Sequence, residues 1–294
     1  MSAATRAPYR GRAATPTLAG PTFPSVVASE WTKLTSLRSP WWTAAVTVVV
    51  TGAITYLSAQ ASSTDPGFQP TGSVSTGLLL GQIGPLVLGV LVGAGEFRTG
   101  AFRTTFTLVP RRLPVLAAQT LAVTVFALVM AVLATATSVL ALVPAAASRD
   151  LPLELTAGDT PGVLLGMVLF GVGLALLGFS LGALLRRTVP AMLTTLVVVL
   201  ILPVVLSLAS DPLLGGADPS SLAATDEVVG TTAVGWLLAA TPGGAAQLMT
   251  VPASAGSVPG TPDLGPVGGG LVLAAWVVTT LVAAAVRLRS RDVR

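Results

Sequence analysis

Seven stretches of this sequence run for more than twenty residues without a single charge: 39–64, 66–95, 113–148, 160–185, 188–210, 228–262 and 264–286. A helix needs ~20 mainly apolar residues to cross ~30 Å of hydrocarbon. Each stretch is long enough to do so. A soluble fold would not leave so much of its chain without a charged face. Composition agrees: 52% of residues are apolar and 10% are charged, against roughly a quarter charged in soluble domains. The expectation is an all-α integral membrane protein.

The span positions follow from the flanking residues. Residues 1–24 are Ala, Thr, Pro, Gly and Arg with few large apolar side chains, and read as a disordered cytosolic tail. No apolar h-region precedes residue 41, so the tail is not read as a cleavable signal. Residues 25–38 predict a helix. Val27, Trp31, Leu34 and Arg38 recur at helical spacing, Val26 and Leu37 widen the apolar stripe, and Glu30, Lys33 and Arg38 supply polar positions. Such a helix lies in the membrane interface or prolongs the first span. Six spans are expected at about 41–59, 74–95, 114–144, 162–185, 189–209 and 268–287, with a basic tail at 288–294. Trp41, Trp42 and Tyr56 sit near the ends of the first, at headgroup level. Glycines and Pro85 make the second permissive of a kink or close packing. The third is longer than one crossing requires, hence tilted or protruding.

The stretch 210–266 holds only a short apolar run, 233–240, followed by Thr241-Pro242-Gly243-Gly244. Thr241 is placed to cap a second short helix with Pro242 at its first position. Eight apolar residues are too few to span, which predicts a re-entrant or external helical pair before the last span. Charge supports that reading. With the N-terminus inside and six spans, fifteen basic residues fall inside and only Arg149 outside. A seventh span at 229–250 would send the four C-terminal arginines outside.

Several chemistries are excluded. The chain has no Cys and no His, so Ser-His and Cys-His catalysis and a thiolate or imidazole metal site are absent. The net charge of +4 comes from basic residues that flank apolar segments. They read as topology signals, with no nucleic-acid footprint. No expected span carries an ionisable residue in its interior, which argues against a proton-driven carrier and disfavours secondary carriers generally. A Walker A loop needs Gly-Lys-Ser/Thr, and the one Lys, Lys33, follows Thr32.

The most informative polar stretch lies between spans two and three, at 96–112. Phe102, Phe106 and Val109 fall on one helical face, with Glu96, Arg98 and Arg103 among the polar positions. By its residues alone, this segment is either an interfacial helix whose arginines hold the topology or a contact surface for a partner. Small residues also recur at four-residue spacing: Gly89/Gly93, Gly162/Gly166 and Gly178/Gly182. Such pairs let helices approach closely, within one chain or between subunits.

Three segments carry a resemblance to a known family. Glu96-Phe97-Arg98-Thr99-Gly100, followed by Arg103-Thr104-Thr105 and Pro110-Arg111-Arg112, resembles the cytosolic loop of the six-span, type-2 permeases of bacterial ABC exporters, abundant in actinobacteria. Ser29-Glu30-Trp31-Thr32-Lys33-Leu34, then Arg38-Ser39 and Trp41-Trp42, is similar to the start of those permeases. Residues 237–247 are similar to their last extracellular segment. Each motif is moderately specific alone, and their order along the chain is more so.

The resemblance implies a membrane-spanning subunit in the bacterial plasma membrane that itself catalyses nothing and binds no cofactor. ATP and Mg would sit on a separate ATP-binding subunit, and a second permease chain would complete the assembly. It implies that residues 96–107 of the 96–112 loop form a coupling helix docked on the ATPase. Phe102 and Phe106 would supply apolar anchoring and Glu96, Arg98 and Arg103 polar contacts, with Phe97, Thr99, Gly100, Thr104 and Thr105 in the same motif. Glu30, Trp31, Lys33 and Leu34 would belong to the interfacial helix. Dry, uncharged spans suit an apolar or amphipathic substrate. The alternative class is a membrane scaffold or sensor component without transport.

Overall fold

A computed structural model describes residues 22–99, 112–209, 231–252 and 260–290. The described residues are helical, and six segments are long and apolar enough to cross a membrane: Arg38–Ser62, Pro70–Gly95, Leu113–Ala147, Thr160–Leu185, Thr188–Ala209 and Gly265–Arg289. The expected all-α, six-span architecture is therefore observed.

Helix α1 (Phe23–Ser36) is a separate element rather than a prolongation of the first span. Leu37 is extended, with φ −82° and ψ 142°, and α2 (Arg38–Ser62) starts after it. Trp41 holds the corner. Its Nε1 donates to the Thr35 carbonyl at 2.9 Å, and its ring meets Phe126 edge-on with centroids 5.5 Å apart. The buried face of α1 is Val26, Glu30 and Leu34. Trp31, expected on the apolar stripe, is 38% exposed instead.

Span two is broken. A 3-10 turn (Pro70–Ser73) and the four-residue α3 (Leu78–Gly81) precede α4 (Ile83–Thr99). This part of the chain lies close against α2, whose Thr47, Thr51 and Thr55 are all buried. A Cβ on Gly84 would fall 1.7 Å from Thr47 Oγ1, and one on Gly81 2.1 Å from Thr51 Oγ1. Helix α5 (Arg112–Ala147) has 36 residues, about 54 Å at ~1.5 Å per residue. It overhangs a single crossing, as expected.

Helix α6 (Thr160–Leu185) is the packing centre, burying Phe170, Leu174, Leu177 and Phe179. Its partner is α4, and glycines mesh from both sides. A Cβ on Gly89 would fall 2.0 Å from the Ala175 carbonyl, and one on Gly178 2.5 Å from that of Leu86. In hydrocarbon there is no water to expel between helices, so this backbone proximity and its dispersion contacts supply the association. The Gly89/Gly93 and Gly178/Gly182 pairs thus pack spans two and four of one chain together. Gly166 meets the Met249 carbonyl, whereas nothing lies within 4 Å of a Cβ on Gly162.

Span five consists of α7 (Thr188–Leu196), a π-helical turn (Val197–Ile201) and α8 (Leu202–Ala209). Pro203 has no N–H for the Val199 carbonyl, and the wider turn is how the helix passes this gap. Gly243 sits against that same carbonyl, 2.2 Å from where its Cβ would be.

Gly243 belongs to the helical pair α9 (Ala233–Ala239) and α10 (Pro242–Thr250). Thr241 caps α10: its Oγ1 accepts from Gly244 N–H at 2.9 Å and donates to the Leu238 carbonyl at 2.7 Å. Pro242 occupies the first turn, as the sequence predicts. Last comes α11 (Gly265–Ser290), whose Trp276 donates to the Ala240 carbonyl at 2.8 Å. Trp276 is eleven residues from the start of α11, and Val199 ten from the end of α8. At ~1.5 Å per residue both lie about 15 Å along their helices, near the middle of a ~30 Å core. The α9–α10 break packs against both helices. Backbone without helical bonds is tolerated at that depth only inside protein, and Thr241 is 4% exposed.

Candidate functional site

The contacts gather five helix ends at one end of the bundle. Gln119, near the start of α5, donates to Glu30 Oε2 of α1 at 3.3 Å. Phe97, in the last turns of α4, lies under the guanidinium of Arg186 at the end of α6, 5.1 Å from the ring centroid. Arg186 Nη2 donates to the Arg287 carbonyl of α11 at 3.3 Å, and Arg287 Nη1 returns a hydrogen bond to the Leu184 carbonyl. At the opposite end, Arg149 donates to the Ser63 carbonyl, joining the ends of α5 and α2.

Local sequence builds the first end. Nothing between Gly95 and Thr99 stops a helix, and α4 continues through Thr99, four residues beyond the expected limit of span two. Phe97 packs against a cluster that includes Leu116, Val123, Phe179, Ala183 and Leu288. Helix α6 ends where Arg186 turns left-handed, with φ 58°. A non-glycine residue pays ~1–2 kcal/mol for that conformation. Here the turn aims the guanidinium back across the helix ends.

The structure places the sequence-predicted residues as follows. Glu96, Phe97, Arg98 and Thr99 belong to α4 rather than to a loop. Gly100, Phe102, Arg103, Thr104, Thr105 and Phe106 lie outside the described residues, as does the rest of 100–111. Glu30 is buried at 6% exposure, where it pairs with Lys33 Nζ at 2.6 Å. Leu34 is buried beneath it, packed with Leu88, Ala122 and Phe126.

Sequence reading missed two residues of this region. Arg186 reads only as a charge that ends span four, and Gln119 as a polar residue inside span three. A polar side chain within an apolar helix is itself a signal, since it requires a partner. Its partner, Glu30, is 89 residues away in sequence.

A cavity of about 400 Å³ opens beside this end, between α1, the start of α2, α4 and α5. A second, of about 610 Å³, lies at the opposite end between the start of α6, α10 and the start of α11, bordered by Asp159 and Asp263. Among the described residues no cluster of acidic side chains could hold a metal ion. The chain matches no protein-family model and no curated protein sequence.

Proposed function

We propose that this chain is the membrane-spanning permease subunit of an ATP-driven ABC exporter in a bacterial plasma membrane. A separate subunit binds ATP and Mg, and a second permease chain completes the pathway. The end that gathers Glu30, Phe97, Arg186 and Arg287 faces the cytosol together with both termini, because fifteen of sixteen basic residues belong to that side of a six-span chain. The family reading rests on the resemblance of the three motifs.

One observation carries the coupling role. Helix α4 runs unbroken into the 96–107 segment, and Phe97 ties its end through Arg186 to α11. A displacement applied to that segment by a partner would move spans two, four and six together. The glycines of α4 and α6 bring the two backbones into direct contact, which supports their moving together. Apolar spans with the α9–α10 break suit an amphipathic cargo.

Co-expression with an ATP-binding subunit found encoded beside this chain tests the reading. Stable co-purification in mild detergent is expected. A chain that inserts in the membrane yet never retains that subunit contradicts it.

A further inference from the structure

The 400 Å³ cavity lies within the ~300–1,000 Å³ of small-molecule sites. Its walls are apolar: Leu88, Leu91 and Val92 of α4 and Ala122 and Val123 of α5 line it. Its polar lining is Ser36, Ser39 and one connected group, Glu30 with Lys33 at 2.6 Å and Gln119 at 3.3 Å. It borders the extended residue Leu37, where the chain turns from α1 into α2. Exposed Trp31, Trp41 and Trp42 surround this corner, and indoles settle at the headgroup level of a bilayer. The polar group is therefore at headgroup height and the apolar walls at acyl height.

We propose that this cavity holds an acyl chain of a zwitterionic aminophospholipid, with Glu30 facing the headgroup ammonium and Lys33 its phosphate. Lys33 is 47% exposed and Glu30 6%, so the ammonium reaches the cavity mouth while the carboxylate bears a desolvation cost that an apolar residue of similar volume would avoid. A carboxylate at 6% exposure on a membrane-level helix is kept for something it contacts. The sign of the charges selects the head. An anionic lipid would meet Lys33 but be repelled by Glu30, and a cationic amphiphile the reverse. Only a head carrying both charges matches both, aligned against the pair. The site lies between helices of one chain, and the inference stands whether or not the exporter reading does.

Native mass spectrometry of the full chain, purified from bacterial membranes in mild detergent, tests this. One phosphatidylethanolamine is expected to remain after bulk lipid is removed. From an equimolar mixture with phosphatidylglycerol, about tenfold enrichment of phosphatidylethanolamine is expected, since hydrogen bonds to charged groups are worth at least that factor. Glu30→Gln should bring the ratio close to parity. Leu91→Trp, which fills the cavity and leaves the charges intact, should lose the retained lipid. Leu140→Trp, on a surface 67% exposed, should keep it. Three results would overturn the proposal: no retained lipid in the wild type, equal retention of the two heads, or undiminished retention in Leu91→Trp. The last variant keeps the test decisive even if Glu30→Gln does not fold.

Discussion

The guanidinium of Arg186 lies over the ring of Phe97, 5.1 Å from its centroid. This contact joins the ends of α4 and α6, and the hydrogen bond from Arg186 to the Arg287 carbonyl extends it to α11. A cation over an aromatic face is worth about 0.5–2 kcal/mol, more where water is excluded. A double-mutant cycle with Phe97→Ala and Arg186→Ala, read by reversible unfolding in mixed micelles, should return a coupling energy in that range. Additive effects would remove the contact. Phe97→Leu should keep the apolar packing and lose only the cation term.

The α4–α6 interface should tolerate no side chain on its glycines. Gly89→Ala and Gly178→Ala place a methyl 2.0 and 2.5 Å from carbonyl oxygens, and overpacking costs about 1–3 kcal/mol. Gly162→Ala, with nothing within 4 Å, should stay within about 0.5 kcal/mol of the parent. The same unfolding assay ranks the three. A destabilised Gly162→Ala beside a neutral Gly89→Ala would contradict the packing.

The α9–α10 pair depends on its cap. Thr241→Ala removes the acceptor for Gly244 N–H and the donor to the Leu238 carbonyl. Loss of an N-cap costs about 0.5–2 kcal/mol. Thr241→Ser keeps both bonds and should unfold close to wild type. Equal loss in both variants would mean that the methyl, not the hydroxyl, matters there.

Orientation is directly measurable because the chain has no cysteine. Thr64→Cys and Ser36→Cys place a thiol at exposed positions at opposite ends of the first span. In intact cells an impermeant maleimide should label the first and not the second. The reverse pattern would invert the topology.

The spans were legible because their signal is local: a charge-free run of sufficient length needs no knowledge of neighbours. The Thr241-Pro242 cap was legible for the same reason. The face of α1 was legible only in part: Val26 and Leu34 lie on the expected stripe and are buried, but Glu30 is buried with them. A stripe through Val27, Trp31 and Leu34 is what periodicity favours, yet Val26, Glu30 and Leu34 are buried. Glu30 can turn inward because Lys33 and Gln119 meet its oxygens, and Gln119 belongs to a helix that sequence spacing does not bring near. The glycine pairs were visible, but not which neighbour each one meets. That Gly89 faces Ala175 while Gly162 faces open space is a matter of helix rotation. Nothing in the sequence around Pro203 distinguishes the π-turn at Val197–Ile201 from an ordinary proline kink.

The proposed function requires the 96–107 segment to dock on an ATP-binding subunit in the cytosol. Site-specific photo-crosslinking tests this, with a photoreactive residue replacing Phe102 in one sample and Leu153 in another, each co-expressed with a candidate ATP-binding subunit. A crosslink to the ATPase from position 102 and none from position 153, at the opposite end of the bundle, is the predicted result. A co-purifying complex that crosslinks from 153, or from neither position, would contradict the account.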